Sequence, residues 1–284
     1  MQTTGRSATV SYPAPTVTGG AAPVSVACTP PSGSSFPTGN NTATCTATDA
    51  MQRTDRCTFT VSVQAVPLLG ATRFVAFGDS ITEGKLADGN TTPTPYPAGL
   101  RQMLASRYTT QTFTVFGEGG GGETTSGGVQ RLPGVLTADN PEVLLLFEGV
   151  NDLPFGNSAT ISAMVNNLQT MIQQARGRNV QVMLATLLPE IEGAQRAGAA
   201  PLIVPANDQI RALASSQGVP LVDLYQAFRG QESTLLGFDG LHPSPQGYQV
   251  ITQTFFDAVR GRFEVAPTST LTHLASPPAA WRGE

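Results

Sequence analysis

The sequence predicts two domains of different class, a small all-β module followed by an α/β domain built on a parallel sheet. Three observations carry this expectation. Residues from about 9 to 64 are rich in Thr, Ser, Val and Pro, hold all three cysteines and show no helical periodicity. From Arg73 onward, short apolar runs alternate with amphipathic stretches, the pattern of a parallel sheet covered by helices. The length of 284 residues, with 40% hydrophobic and 13% charged side chains, is enough for one full core and a smaller one.

In the first module, Cys57, Phe59, Val61 and Val63 alternate with Thr58, Thr60, Ser62 and Gln64, and Ala43, Cys45 and Ala47 alternate with Thr42, Thr44 and Thr46. That is the period of strands with one buried and one wet face. Pro30, Pro31, Ser32 and Gly33, and the stretch 49–55, read as turns, which spaces the strands as in a small sandwich. The module is expected at 9–65, followed by a linker at 66–72. In the second domain, at 73–263, strands are expected at 73–77, 112–116, 143–147, 180–187 and 219–223, near-continuous apolar runs of the kind buried on both faces. The clearest helix between them carries Ile161, Met164, Val165, Leu168, Ile172 and Ala175 at helical spacing, with Ser158 placed to cap it. Residues 264–284, rich in Pro, Thr, Ser and Ala without periodicity, read as a flexible tail.

Composition excludes several classes of function. With 16 basic against 20 acidic residues, a net charge of -4 and a single lysine, Lys85, there is no cationic footprint for nucleic acid or anionic lipid. No apolar run approaches the ~18 residues a transmembrane segment needs. Two histidines, and three cysteines confined to the β module, offer no ligand cluster for a metal. No signal peptide is present in this chain. Its Thr-, Ser-, Gly- and Pro-rich composition reads as that of a secreted or cell-surface bacterial protein.

In a sheet of this type, ligands bind beyond the carboxyl ends of the strands. Gly78-Asp79-Ser80 follows the first expected strand, and Gly117 to Gly122 with Glu123-Thr124-Thr125 follows the second. Glu148-Gly149-Val150-Asn151-Asp152 follows the third, and Asp239-Gly240-Leu241-His242-Pro243 lies near the C-terminus. A serine hydroxyl is a poor nucleophile until an imidazole accepts its proton, and the imidazole needs a carboxylate to fix its tautomer and stabilise its charge. Ser80, His242 and Asp239 supply those parts. The backbone N–H groups of Ser80 and Gly122, with the Asn151 side-chain amide, supply donors where negative charge develops in acyl transfer. Taken singly each has a plainer reading: Ser80 as a helix cap, Asn151-Asp152 as a turn, His242 as a surface residue, Asp79 as a loop-ordering carboxylate.

Together these residues resemble the SGNH (GDSL-type) hydrolase family, whose four blocks are a GDS serine, a glycine, an asparagine in a G-x-N-D segment and a D-x-x-H pair, here in the same order over residues 73–262. The resemblance implies Ser80 as nucleophile, Asp239 and His242 as acid and base, and an oxyanion hole of Ser80, Gly122 and Asn151. It also implies a three-layer α/β/α, flavodoxin-like sheet and cofactor-free hydrolysis of carboxylic esters. The substrates implied are short acyl or acetyl esters, including acylated carbohydrate, with lysophospholipase or thioesterase side activity. The asparagine often found in the second block is missing, and the run of glycines makes Gly119 a competitor to Gly122. In the first module, Cys28-Thr29-Pro30-Pro31-Ser32-Gly33-Ser34, Cys45-Thr46-Ala47-Thr48-Asp49 and Cys57-Thr58-Phe59-Thr60-Val61 resemble a HYR (hyalin repeat) domain, an immunoglobulin-like extracellular module associated with adhesion. This implies contact with another protein or a glycan. Because the last-strand cysteine of such modules pairs with one near the start of the domain, which this chain lacks, it also implies a Cys28–Cys45 bond and a free Cys57.

Two other readings compete. One is an extracellular adhesion or glycan-binding protein whose hydrolase domain is inert. The other is a dinucleotide-binding enzyme, since Gly117-x-Gly119-x-x-Gly122 formally matches the phosphate-binding fingerprint. That fingerprint belongs on the first strand of its unit with an acidic residue ending the next strand, whereas Asp139 precedes the next strand and Glu148 comes too late.

Overall fold

The computed structural model describes residues 7–274 and 281–282. The chain divides into two compact units, one of residues 1–68 with 265–284 and the other of residues 69–264.

The first unit opens with β1 (Ser7–Val10), β2 (Val17–Thr18), β3 (Ser25–Thr29), β4 (Ser34–Pro37), β5 (Gly39–Thr48) and β6 (Thr54–Leu69). β1 pairs antiparallel with β4, and β5 lies antiparallel between β3 and β6. Alternation builds the core: Ala43, Val61 and Val63 are buried with Ala8, Val10, Tyr12 and Phe36, while Thr42, Thr44 and Thr46 keep contact with solvent. The turn from β5 to β6 is organised by Asp49, whose carboxylate accepts from the backbone N–H groups of Ala21, Met51 and Arg53 and from the Arg53 guanidinium. Burial pushes this carboxyl up, but the bonds from Ala21, Arg53 and Met51 outweigh it and hold the pKa at about 2. Register places Cys28 opposite Cys45 and Cys45 opposite Cys57. Cys28 and Cys45 are joined in a disulfide and Cys57 keeps its thiol.

The second unit runs β7 (Arg73–Gly78), α1 (Ser80–Glu83), α2 (Tyr96–Arg107), β8 (Thr114–Gly119), α3 (Thr125–Asp139), β9 (Val143–Phe147), α4 (Ser158–Arg176), β10 (Gln181–Ala185), α5 (Ala200–Gln217), β11 (Leu221–Val222), α6 (Leu224–Phe228), α7 (Glu232–Leu235) and α8 (Pro245–Phe263). The five strands are parallel in the order β11-β10-β9-β7-β8, the flavodoxin-like order, whose switch point falls between β7 and β9. Successive residues of a strand face opposite sides, so one sheet yields two cores. Phe74, Ala76, Leu145 and Phe147 pack with Tyr96 and Leu100 of α2 and Ile251 and Phe255 of α8. Val75, Phe77, Leu144 and Leu146 pack with Leu132 of α3, Met164 and Leu168 of α4 and Ile210 of α5. Residues of β9 are buried on both faces without exception, which is why its sequence is an unbroken apolar run.

Several details differ from the sequence reading. The second strand runs on to Gly119, pairing Gly117 with Ala76 and Gly119 with Gly78. Two of the three fingerprint glycines are therefore strand residues, not a loop opening onto a helix, and the dinucleotide reading fails. Helix α4 is capped by Asn157 rather than Ser158: the Asn157 side chain accepts from the N–H groups of Ala159 and Thr160, and Thr160 Oγ1 accepts from Asn157 N. The expected tail from residue 264 instead supplies β12 (Glu264–Leu274), at the sheet edge beside β6, and β13 (Trp281–Arg282), parallel to β2. Residues 275–280 and 283–284 of that expectation lie outside the described residues. An edge strand needs only backbone partners, so a Val- and Thr-containing stretch forms one without any helical or alternating apolar signal. Where the chain enters and leaves the α/β unit its two ends are tied together, with Gly70 N–H donating to the Phe263 carbonyl at 2.7 Å.

Candidate active site

The carboxyl ends of β7 and β9, with the loop before α8, bring most of the candidate residues together. Asp79 caps the short helix α1, accepting from Ile81 N at 2.9 Å, and this presents Ser80 at the helix start just beyond β7. The Asp239–His242 segment folds on its own carboxylate: Asp239 Oδ1 accepts from the N–H groups of Leu241 (3.1 Å) and His242 (3.0 Å). That turn leaves Asp239 Oδ2 2.6 Å from His242 Nδ1, and places His242 Nε2 3.0 Å from Ser80 Oγ. Asp239 and His242 are buried. Burial works to raise the Asp239 carboxyl, but the His242 ring and the two backbone donors outweigh it and hold it below its ordinary value. With Nδ1–H donating to Asp239, Nε2 presents its lone pair to the serine hydroxyl.

Asn151 sits in the short 3-10 turn Val150–Asp152 after β9 and donates from Nδ2 to the Glu123 carbonyl at 2.9 Å. Asp152 accepts from Thr125 N (2.8 Å) and Thr125 Oγ1 (2.6 Å), fastening this turn to the start of α3. The structure separates the two competing glycines. A Cβ on Gly119 would lie 2.1 Å from Glu83 N, so Gly119 is where β8 touches the α1 backbone. Gly122, at φ +74°, has open space there and lines the same cleft as Ser80, Asn151, Asp239 and His242.

The cleft measures about 770 Å³. Its further walls come from the loops at 85–89, 154–155 and 195–198, including Lys85, Leu86, Phe155 and Arg196. Phe155 is fully exposed and holds a positive φ of 61°. Beside the cleft lies an acidic group that motif reading did not connect: Asp79 and Glu148, which are buried, with the half-buried Glu123 and Asp152. Burial, ahead of the charges of Glu123 and Asp152, pushes Asp79 up to about 7. Arg131 answers the group, donating from Nε to both oxygens of Glu123 (2.9 and 3.1 Å) and from Nη2 to the carbonyls of Gly78 and Glu118, with its guanidinium 4.0 Å above the Phe77 ring. Each of the four stands in one of the short segments after a strand, but nothing in those segments by themselves shows that the carboxyls meet. Among the described residues no cluster of His, Cys, Asp and Glu is arranged to hold a metal.

Comparison with known proteins assigns a family to each unit. Residues 2–63 match the HYR domain, and residues 76–250 match the GDSL-like Lipase/Acylhydrolase family. The chain is 27% identical over 176 residues to Esterase TesA of Pseudomonas aeruginosa, covering 61% of this chain and 81% of that one. It is similar in structure to the lipase/acylhydrolase from Enterococcus faecalis, with a TM-score of 0.59, 26% identity, and 68% of this chain and 97% of that chain covered. It also shares the fold of Axe2, an acetylxylan esterase from Geobacillus stearothermophilus, with a TM-score of 0.57, 20% identity, and coverage of 67% and 95%. A serine, an imidazole and a carboxylate in contact at the switch point of this sheet, within a stretch matched along most of the α/β unit, place the chain in the GDSL-like lipase/acylhydrolase family, as a carboxylic ester hydrolase.

Proposed function

We propose that the protein cleaves short acyl or acetyl esters through an acyl-enzyme on Ser80. The observation that carries this reading is the contact chain from Ser80 Oγ through His242 to Asp239, at 3.0 and 2.6 Å, opening on a cleft that Asn151 and Gly122 also line. Ser80 Oγ attacks the ester carbonyl carbon as its proton passes to His242 Nε2, and Asp239 stabilises the imidazolium that forms. The carbonyl oxygen becomes an oxyanion facing the N–H groups of Ser80 and Gly122 and the Asn151 amide. One amide hydrogen of Asn151 is committed to the Glu123 carbonyl, which fixes the amide plane and leaves the other for the oxyanion. The tetrahedral intermediate collapses, the alcohol leaves with the proton from Nε2, and a water activated by the same nitrogen hydrolyses the acyl-enzyme and restores Ser80.

A cleft with Leu86, Phe155 and Leu241 beside Lys85, Gln195 and Arg196 suits a small acyl group on a partly polar alcohol. Acetylated carbohydrate is the alternative alcohol class, and the similarity in fold to an acetylxylan esterase supports testing it. The HYR match and the Cys28–Cys45 bond support an extracellular setting, in which the β unit contacts another protein or a glycan. The test is a series of p-nitrophenyl esters of rising acyl length, with acetylated xylan and a thioester in parallel, on wild type and Ser80→Ala. Hydrolysis confined to wild type and declining with acyl length supports the reading; equal turnover by Ser80→Ala removes it, and no turnover by wild type on any ester leaves the inert-adhesin alternative.

A further inference from the structure

The carboxyl of Glu148 is the one buried titratable group beside the cleft whose oxygens the described structure leaves wholly without donors. Glu148 is 1% exposed, and neither Oε1 nor Oε2 has a hydrogen-bond partner. Its space is made by α3, where a Cβ on Gly128 would lie 2.3 Å from Glu148 Oε2. An ionised carboxylate in such a place would carry the full cost of desolvation with nothing to offset it. Arg131 is the nearby cation, but its Nε and Nη2 donate to Glu123 and to the carbonyls of Gly78 and Glu118, and its Nη1 faces the Glu118 carboxylate at 3.5 Å. The side chain within hydrogen-bonding reach of Glu148 is the carboxylate of Glu123. Two ionised carboxylates can only accept, so this contact is a hydrogen bond only when one of them carries a proton.

We propose that Glu148 is a positioning residue that holds a proton at neutral pH and donates it to the Glu123 carboxylate, fixing the segment on which the oxyanion donors depend. The inference rests on the ester-hydrolase reading of the same site. Glu123 is the residue after Gly122, and its carbonyl accepts from Asn151 Nδ2. Its side chain is then held from two sides, by Arg131 of α3 and by the Glu148 hydroxyl just beyond β9, so two of the three oxyanion donors, Gly122 and Asn151, are referred to one anchored residue. Burial first, and then the negative charges of Glu123 and Asp79, favour the neutral acid at Glu148, with Arg131 opposing. The charged groups facing this proton are Glu123 on the 120–124 loop, Asp79 in the β7–α1 turn and Arg131 on α3, with Glu118 of β8 behind Arg131 and Asp152 beyond Asp79. The sign follows. A carboxyl raised in the folded state keeps its proton through neutral pH, and the hydrogen bond is lost as pH rises through the raised value. Two adjacent carboxylates then repel, and the Gly122–Glu123 segment loses one anchor.

The experiment uses the full chain and compares wild type, Glu148→Gln, Glu148→Leu and Ser80→Ala. Kinetics on a short p-nitrophenyl ester are followed from neutral to alkaline pH, with the infrared band of protonated carboxyl groups recorded at neutral pH. Glutamine keeps the shape and a permanent donor, so Glu148→Gln should retain kcat to within about threefold at neutral pH, with the alkaline decline of wild type reduced. Glu148→Leu, which donates nothing, should lower kcat about tenfold or more with little change in KM. The infrared difference between wild type and Glu148→Gln should contain one protonated carboxyl band. The proposal is overturned if Glu148→Gln shows the same alkaline decline as wild type, or if that band is absent from the difference. Full kcat in folded Glu148→Leu overturns it equally; should that variant not fold, the glutamine profile and the infrared band still decide. Equal turnover by Ser80→Ala would instead strike the function reading, and the infrared band would still report where the proton sits.

Discussion

Replacing Asn151 by alanine separates the two jobs its amide has in this structure. The Nδ2 bond to the Glu123 carbonyl at 2.9 Å exists in the resting protein, so its loss is a stability effect of about 1 kcal/mol. In a unit of the size of residues 69–264, that corresponds to a melting point lower by about 2–4 °C. The remaining hydrogen faces the position where charge develops only in the transition state, and removing such a donor costs about 10²–10³ in kcat, or about 2.7–4 kcal/mol. The two effects are therefore read by different instruments, a small shift in a melt and a large loss in turnover at nearly unchanged KM. Asn151→Asp should be at least as damaging to kcat, because an ionised carboxylate donates nothing, repels the oxyanion and faces the Glu123 carbonyl. Steady-state kinetics on p-nitrophenyl acetate, with melts of the same preparations, make the measurement. If Asn151→Ala kept full kcat and only raised KM, the residue would position substrate in the ground state, and the oxyanion would have to be met by the backbone of Ser80 and Gly122 alone.

Ser80→Ala and His242→Ala should each abolish nearly all ester hydrolysis while leaving the fold intact, because the two groups act as one unit; wild-type turnover in either folded variant contradicts this. Gly119→Ala pushes a methyl group to 2.1 Å from Glu83 N and should cost about 1–3 kcal/mol or more. Gly122→Ala meets no atom and should lose only about 1–2 kcal/mol through its positive φ, so the order of the two melting points is the check. Asp49, held at about 2 by its donors, stabilises the β unit above its unfolded value of about 4, and that contribution is lost as pH falls toward about 2. Asp49→Asn should accordingly flatten the acid limb of that unit's unfolding, followed by circular dichroism. A non-reducing peptide map should join Cys28 to Cys45 and find Cys57 open to alkylation, and a Cys45–Cys57 peptide would show the assignment wrong.

Much of the architecture is legible because it rests on local periodicity. The β9 run Val-Leu-Leu-Leu-Phe declares a doubly buried strand by itself, and the Thr-Cys-Thr-Ala alternation declares a half-buried one. The residues of the cleft could be proposed because strand ends of a parallel sheet converge, so short motifs after successive strands are brought together whatever lies between them. What could not be read depends on partners supplied by tertiary structure. Gly117 and Gly119 look like a loop until β7 is laid beside them. The stretch from Glu264 looks like a tail until β6 offers its edge. Arg131 carries no motif and Glu148 only borders one, and only the folded sheet brings both to Glu123. Ser158 reads as the cap because it precedes the periodic residues, but the reciprocal bonds with Thr160 give the position to Asn157.

The path of the chain through the two units has a consequence in time. The α/β unit is inserted between β6 and β12, and its entry and exit are tied by the Gly70–Phe263 bond. During synthesis at about 5–20 residues per second, the ribosome takes roughly 10–40 s to pass from the end of β6 to the start of β12. Throughout that interval the nascent β unit has one long edge of β6 unpaired, a template open to strands of other copies. The hydrolase unit, by contrast, emerges in one uninterrupted stretch and can finish folding first. Its closure at residues 70 and 263 then delivers the β12 segment back to the neighbourhood of residue 69, where β6 ends, so completion of the esterase fold becomes the event that lets the older β unit close its sheet.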